Sequence, residues 1–343
     1  MFDEMLAENS VVITADTQVS LVAFPSVFPD STPLLRLTLV FDGPSIDSPY
    51  LGTLYQAVRS GYSIVSTLNT MTIFTFQENY IVGSNFVIQD YYNVKNLVET
   101  RGIICWSQSS CPVTLNALKG PVSAMTLNSD DGDEYVKHLD VSTDSQLKVY
   151  LGARREGNET NLIATYNSIQ AKNNIPQKFN GLLMTYYLEE GTALVELAED
   201  SNYTRWNDAI SGRKGFISSM FYGQNNYYQD TYEVIQAMHL NETFMYNINI
   251  TYLDTSNSAV LSISFQDEFG ITDYSFSAEN PVQNMSFSVM SSKMVVTYVT
   301  NGTVTSGFYL DFEIETPISS NQVPMSFFFV TFIFIFLHQL FVD

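Results

Sequence analysis

The side chains able to do chemistry are few, and their spacing selects no reaction. Histidine occurs three times, at His138, His239 and His338, and cysteine twice, at Cys105 and Cys111. Neither type is dense enough for a zinc site. No glycine-rich phosphate loop or nucleophile elbow is present. Acidic residues are plentiful, at 36, yet no local motif picks out two of them as the carboxylate pair of a glycosidase. The run Asp130-Asp-Gly-Asp-Glu134 invites a calcium-loop reading, but its glycine and closing glutamate fall out of register, so a solvated turn is expected. Glu189-Glu-Gly191 and Asp208-x-x-x-Gly212-Arg-Lys214 read as hairpin turns. No catalytic residue, cofactor or metal ligand is therefore expected. Cys105 and Cys111 are either a short-range disulfide or two buried thiols. A bridge there would contribute roughly 2 to 3 kcal/mol by closing a short loop.

Modification signals are more numerous. Sequons of the form N-x-[ST] begin at Asn158, Asn202, Asn241, Asn249, Asn284 and Asn301. Near the C-terminus the small residues Ser319, Ser320 and Asn321 precede a spacer and the apolar run Phe327 to Leu337. That run is shorter than the roughly 20 residues needed to span a bilayer, and no basic residue follows it. Small residues, spacer and apolar tail together read as a glycolipid (GPI) anchor signal, with Ser319, Ser320 and Asn321 as candidate attachment sites. A membrane span and a buried C-terminal strand are the alternatives. Met1 to Ser10 has no basic or apolar segment of the kind that opens a secretory signal. Because anchoring requires entry into the secretory route, an upstream extension carrying such a signal is expected.

These residues must be positioned by a scaffold, and composition says which kind. Hydrophobic residues make up 45% of the 343, charged residues 15% and aromatic residues 14%, which suits a globular, sheet-rich chain. A formal charge of −21 excludes nucleic acid and an anionic membrane surface as electrostatic partners. Short runs around Val12, Thr14, Leu35, Leu37, Leu39, Ile73, Val260, Ile263, Val295 and Val299 carry strand signals, separated by turns rich in Gly, Pro, Asn and Asp. Helical periodicity is confined to Val234 to Leu240 and Thr53 to Val58. The spacing predicts an all-β protein of β-sandwich type. A weak repeat sharpens this: strand, long middle, strand, then a glycine and an aromatic opening a final strand. It recurs from Leu37, from Leu147 and from Val260, with final strands at Gly83, Gly215-Phe216 and Gly307-Phe308. The expected units are residues 1–95 (lacking an N-terminal strand region), 96–225 and 226–316, with 317–343 as the anchor segment.

The first unit carries a resemblance. Phe41-Asp-Gly-Pro-Ser-Ile-Asp-Ser-Pro-Tyr-Leu-Gly52, then Ser66-Thr-Leu-Asn69 and Met71-Thr-Ile73, resemble a CUB domain over about 50 residues. Elsewhere only the spacing and the Gly-Phe strands are similar. Tandem divergent units with an anchor tail resemble nematode CUB-like surface proteins. The resemblance implies tandem jelly-roll-type β-sandwiches used outside the cell to bind proteins or glycans. Many CUB domains hold Ca²⁺ on acidic side chains, but Arg36 stands where that pattern has an Asp, and only Glu78 keeps an acidic ligand position. A guanidinium there opposes a cation, so no calcium is expected in this unit. The two disulfides of the family are not matched by Cys105 and Cys111.

The expectation is thus a secreted, glycosylated adhesion or ligand-binding protein, non-catalytic, held at the cell surface by a C-terminal lipid anchor. Its partner is a protein or a glycan. The alternatives are a β-rich cell-surface hydrolase and a single-pass receptor ectodomain. The aromatic stretch Phe221 to Tyr228 reads either as packing between the second and third units or as an exposed glycan platform.

Overall fold

Alternating apolar residues drive the chain into three consecutive β-sandwiches. The computed structural model describes residues 9–26, 29–76, 86–105, 110–128, 132–198, 201, 204–239, 241–282 and 284–317. In the first sandwich, β1 (Ser10–Thr14), β6 (Thr70–Thr75), β3 (Thr38–Phe41) and β4 (Tyr50–Thr53) form one sheet in that order. Across from it lie β5 (Ile64–Val65), β2 (Val19–Ala23) and β7 (Phe86–Asp90). Val19, Leu21 and Ala23 on one sheet meet Val40, Met71 and Ile73 on the other, with Leu54 and Ala57 of α1 (Leu54–Ser60) closing the core. Helix α1 begins at a capping box: Thr53 Oγ1 accepts from Gln56 N, and Gln56 Oε1 accepts from Thr53 N at 2.9 Å.

The second sandwich pairs a five-stranded sheet with a four-stranded one. The first runs β13 (Leu162–Tyr166), β12 (Leu147–Leu151), β15 (Leu183–Leu188), β10 (Val122–Leu127), β8 (Glu99–Ile104). The second runs β14 (Gln177–Asn180), β11 (Asp133–Val141), β16 (Thr192–Ala198), β9 (Cys111–Asn116). β8 and β9 are edges of opposite sheets, and a Cys105–Cys111 disulfide joins the end of one to the start of the other. Pro112 sits on that edge strand, where a missing N–H is tolerated. The third sandwich has the sheets β17 (Lys214–Ser218), β24 (Phe308–Glu315), β19 (Phe244–Leu253), β22 (Met285–Ser291) and β18 (Thr231–Gln236), β23 (Lys293–Val299), β20 (Val260–Asp267), β21 (Gly270–Phe276). Its core holds Tyr246, Ile248, Leu261, Ile263, Val296, Leu310 and Trp206.

The sandwiches are packed against one another. Alternation along β2 turns Val22 and Phe24 away from the first core and onto Ile104 and Met125 of the second unit. β8 comes so close there that a Cβ on Gly102 would lie 2.6 Å from the Ala23 carbonyl oxygen. Between the second and third units two sheet edges meet, β14 and β17. Their exposed backbone groups would be a liability, and side-chain amides satisfy them. Gln177 donates through Nε2 to the Phe216 carbonyl at 2.9 Å and accepts from Phe216 N at 3.1 Å. Asn180 Nδ2 donates to the Ser218 carbonyl at 2.7 Å.

Several expectations change. Leu35 and Leu37 lie in a 3₁₀ helix, Pro29–Leu37, where Pro33 denies an extended ladder, and the strand begins only at Thr38. Val234 to Gln236 belong to strand β18, because neighbouring strands supply pairing that local periodicity cannot report. Gly215-Phe216 opens no strand of the second unit; β17 pairs with β24 and belongs to the third. Glu189-Glu-Gly191 is not a hairpin turn, since β15 and β16 lie in different sheets. Helix α1 stands where Thr53 to Val58 suggested one.

Candidate functional site

A cleft of about 590 Å³ opens between the second and third sandwiches. Its floor is the outer face of the β17-β24-β19-β22 sheet, and pairing register dictates what that floor presents. One row across the strands reads Lys214, Glu313, Asn247, Ser288, and the next reads Phe216, Asp311, Asn249, Ser286. Because side chains alternate along each strand, both rows face outward while Ile248, Leu310 and Ile314 point into the core. Each polar side chain has a neighbour. Lys214 Nζ lies 2.6 Å from Glu313 Oε1. Ser288 Oγ donates to Asn247 Oδ1 at 2.6 Å, and Ser286 Oγ to Asn249 Oδ1 at 2.9 Å. Asn247 Nδ2 donates to Glu315 Oε2 at 3.2 Å.

Burial raises the Asp311 carboxyl above its ordinary range, and a hydrogen bond from the Asn249 side chain partly opposes this. The wall is aromatic. Phe216 and Tyr309 stack with centroids 4.9 Å apart, and Tyr222 tilts onto Tyr309 at 5.2 Å. Tyr309 Oη donates to the Ile163 carbonyl at 3.1 Å, which ties the third unit's wall to β13 of the second. Ala164, Thr165, Tyr166 and Asn174 complete the far side.

Away from the cleft lining, a buried ion pair joins the second unit to the third. Lys178 of β14 reaches Glu233 of β18 at 2.5 Å and Asp133 at 2.9 Å. Trp206 Nε1 donates to the other Glu233 oxygen at 2.7 Å. Arg213 lies over the Trp206 ring and donates to the Trp206 and Asp208 carbonyls at 2.7 Å and to the Pro176 carbonyl at 3.2 Å. A turn does lie in the segment Asp208 to Lys214, at Ser211 and Gly212, and the segment is also a packed joint because its arginine is buried. The acidic run was expected to be solvated. Asp130 and Asp131 lie outside the described residues, whereas Glu134 is 1% exposed and accepts from Tyr186 Oη. The alternation of β11 carries it inward.

The remaining sequence-derived sites are scattered. Asn158, Asn284 and Asn301 sit at turns or strand ends, and Asn241 is exposed just before β19. Asn249 alone lies mid-strand in the cleft floor. Asn202, Glu78, Gly83 and the segment holding Ser319, Ser320 and Asn321 with the apolar tail lie outside the described residues. The aromatic stretch divides: Tyr222 packs in the junction, while Tyr227 and Tyr228 are exposed. Arg36 lies over the Tyr55 ring at 4.2 Å. The residues carrying the CUB resemblance form a joint between sheets. Asp42 accepts from Thr67 N at 2.8 Å and from Thr67 Oγ1 at 2.7 Å, and Ser66 Oγ accepts from Val19 N. Among the described residues no three or more His, Cys, Asp or Glu side chains gather as metal ligands, and no helix is long and apolar enough to cross a membrane. The two rows of the floor went unnoticed in sequence because they converge only through long-range pairing; the alternation Asn247-x-Asn249 with Asp311-x-Glu313 was the available signal.

The architecture defines an all-β protein of tandem β-sandwiches with one disulfide. Two families of unknown function match the chain, DUF7592 over residues 2–76 and DUF7591 over residues 92–200. These ranges fall on the first and second sandwiches. No curated protein matches the sequence. Among solved structures, the CUB1-EGF-CUB2 domain of human MASP-1/3 is similar at 10% identity, covering 60% of this chain and all of that one, with a TM-score of 0.22. A triple jelly roll protein of an archaeal virus turret is similar at 8% identity, over 90% of this chain and 82% of that one, with a TM-score of 0.20. The mosquito-larvicidal Cry4Aa toxin from Bacillus thuringiensis is similar at 7% identity, over 89% and 53%, again with a TM-score of 0.20.

Proposed function

We propose that this chain is a non-catalytic extracellular binding protein, built of CUB-like sandwiches, that captures its ligand in the cleft between the second and third units. The observation that carries this reading is the floor itself. Eight cross-strand residues form two rows, and the polar ones are already held by their neighbours. Groups fixed in this way bind without losing much side-chain freedom. The disulfide and the sequons fit an oxidising compartment, and a lipid anchor at Ser319, Ser320 or Asn321 would hold the protein at the cell surface. The test is binding of the secreted chain to arrayed glycans and cell-surface proteins, beside Asn247→Ala and Ser288→Ala variants. Ligands lost together on both substitutions support the reading; a ligand set indifferent to both opposes it.

One observation favours a second reading, a surface glycosidase. Asp311 and Glu313 lie two residues apart on the same face of β24, one raised by burial and the other ion-paired to Lys214. A partly buried carboxyl beside a second, salt-bridged one is the kind of pair that glycoside hydrolysis uses. Turnover of chromogenic glycosides that disappears in Asp311→Asn would establish this reading in place of capture.

A further inference from the structure

We infer that the cleft is a saccharide site, and that its ligand is a short neutral or amino-sugar chain rather than an acidic glycan or a peptide. This rests on the capture reading above and names the ligand class for the same site. The first argument is the balance of hydrogen-bonding groups. Ser286 and Ser288 spend their O–H on Asn249 and Asn247, so their oxygens are left facing the cleft as acceptors. Asp311 and Glu313 add carboxylate oxygens, which only accept when ionised. Against these stand the remaining N–H groups of Lys214, itself beside Glu313, and one further amide N–H each on Asn247 and Asn249. A floor rich in acceptors calls for a ligand rich in donors, and ring hydroxyls and amino groups are donors.

Charge points the same way. Lys214 carries one positive charge among the lining residues, while Asp311 and Glu313 carry two carboxylates, and Glu315 lies within reach of Asn247. A sialylated, uronate or sulfated chain would bring further anions onto this floor. The whole chain, at −21, would repel such a ligand before contact.

Shape supplies the third argument. The walls are the apolar surfaces of Ala164, Phe216 and Tyr309, placed beside the polar floor. A sugar ring has this division: C–H groups on its faces and hydroxyls around its rim. A volume of about 590 Å³ falls within the range of small-molecule sites and leaves room for a chain of a few rings. The backbone groups of β17 along the β14 edge are taken by Gln177 and Asn180, so that edge offers no ladder to an extended peptide.

The experiment is calorimetric titration of the intact secreted chain with three sets of oligosaccharides: neutral, amino-substituted and acidic. Asn247→Ala and Asp311→Asn are compared with the wild type, and circular dichroism confirms the fold of each. Neutral or amino-sugar chains should bind, with affinity falling about tenfold in Asn247→Ala, the loss of one hydrogen-bonding group. Asp311→Asn should raise affinity for acidic chains, because it removes a negative charge at constant shape. Preferential binding of sialylated or sulfated chains by the wild type would overturn the ligand class and leave capture standing. Binding of proteins or peptides, but of no saccharide, with sensitivity to Asn247→Ala would overturn the saccharide assignment alone. A ligand panel in which nothing depends on Asn247 or Asp311 would overturn both.

Discussion

Replacing Lys178 with methionine should loosen the joint between the second and third units. Methionine keeps most of the stem that packs across Tyr135, whose ring centroid lies 5.6 Å from Nζ, but it removes the ammonium. Glu233, whose side chain is 5% exposed, would keep Trp206 Nε1 as its donor and lose its cation. Burial already pushes the Glu233 carboxyl upward, and the Lys178 charge opposes that push. Removing one partner of a buried pair leaves the other uncompensated, at a cost of about 3 to 5 kcal/mol. Glu233→Gln in the same chain removes the stranded charge, so the double variant should regain most of the loss. Urea denaturation read by Trp206 fluorescence reports on this joint directly, because the indole is itself part of it. Trp106→Phe makes Trp206 the only tryptophan. A Lys178→Met chain within about 1 kcal/mol of wild type would refute the argument, as it would mean that Glu233 is solvated.

Three further outcomes follow. Burial raises the Glu134 pKa from 4.5 to about 7, so the folded state holds a proton that the unfolded chain releases. Stability should therefore be greatest below about pH 4.5 for this group and fall by about 3 kcal/mol as pH rises through 7; Glu134→Gln should flatten that dependence in denaturation midpoints. Removing the Cys105–Cys111 bridge by a Cys105→Ala, Cys111→Ala double substitution should lower stability by about 2 kcal/mol, measured against the oxidised wild type. Intact glycopeptide mass spectrometry should find Asn249 unmodified while exposed Asn241 and Asn284 carry glycan, since Asn249 is committed to Ser286 and Asp311; full occupancy of Asn249 would show the cleft floor differently arranged.

The sheet class was legible because alternation and turn residues are local signals. The runs around Ile73, Val260 and Val295 fall on β6, β20 and β23. The helix at Leu54 was legible for the same reason, the periodicity from Thr53 to Val58 being contiguous, whereas its capping box emerged only in the structure. Contributions from distant chain were not. Gly215-Phe216 looks like the close of one repeat, yet it joins the next because its partner, β24, lies nearly a hundred residues on. Arg213 and Glu233 look like surface charges and are buried: Arg213 donates to Pro176 as well as to its near neighbours Trp206 and Asp208, Glu233 meets Lys178, and no window of sequence brings Pro176 or Lys178 near. The cleft floor follows from register, and register is set by pairing rather than by composition.

The central claim, capture without chemistry, is tested most directly by incubating the purified chain with a labelled neutral oligosaccharide and following binding and chain length in one sample. The account predicts saturable binding that weakens in Asn247→Ala while the oligosaccharide is recovered intact. Progressive shortening of the oligosaccharide by the wild type, abolished in Asp311→Asn, would contradict it.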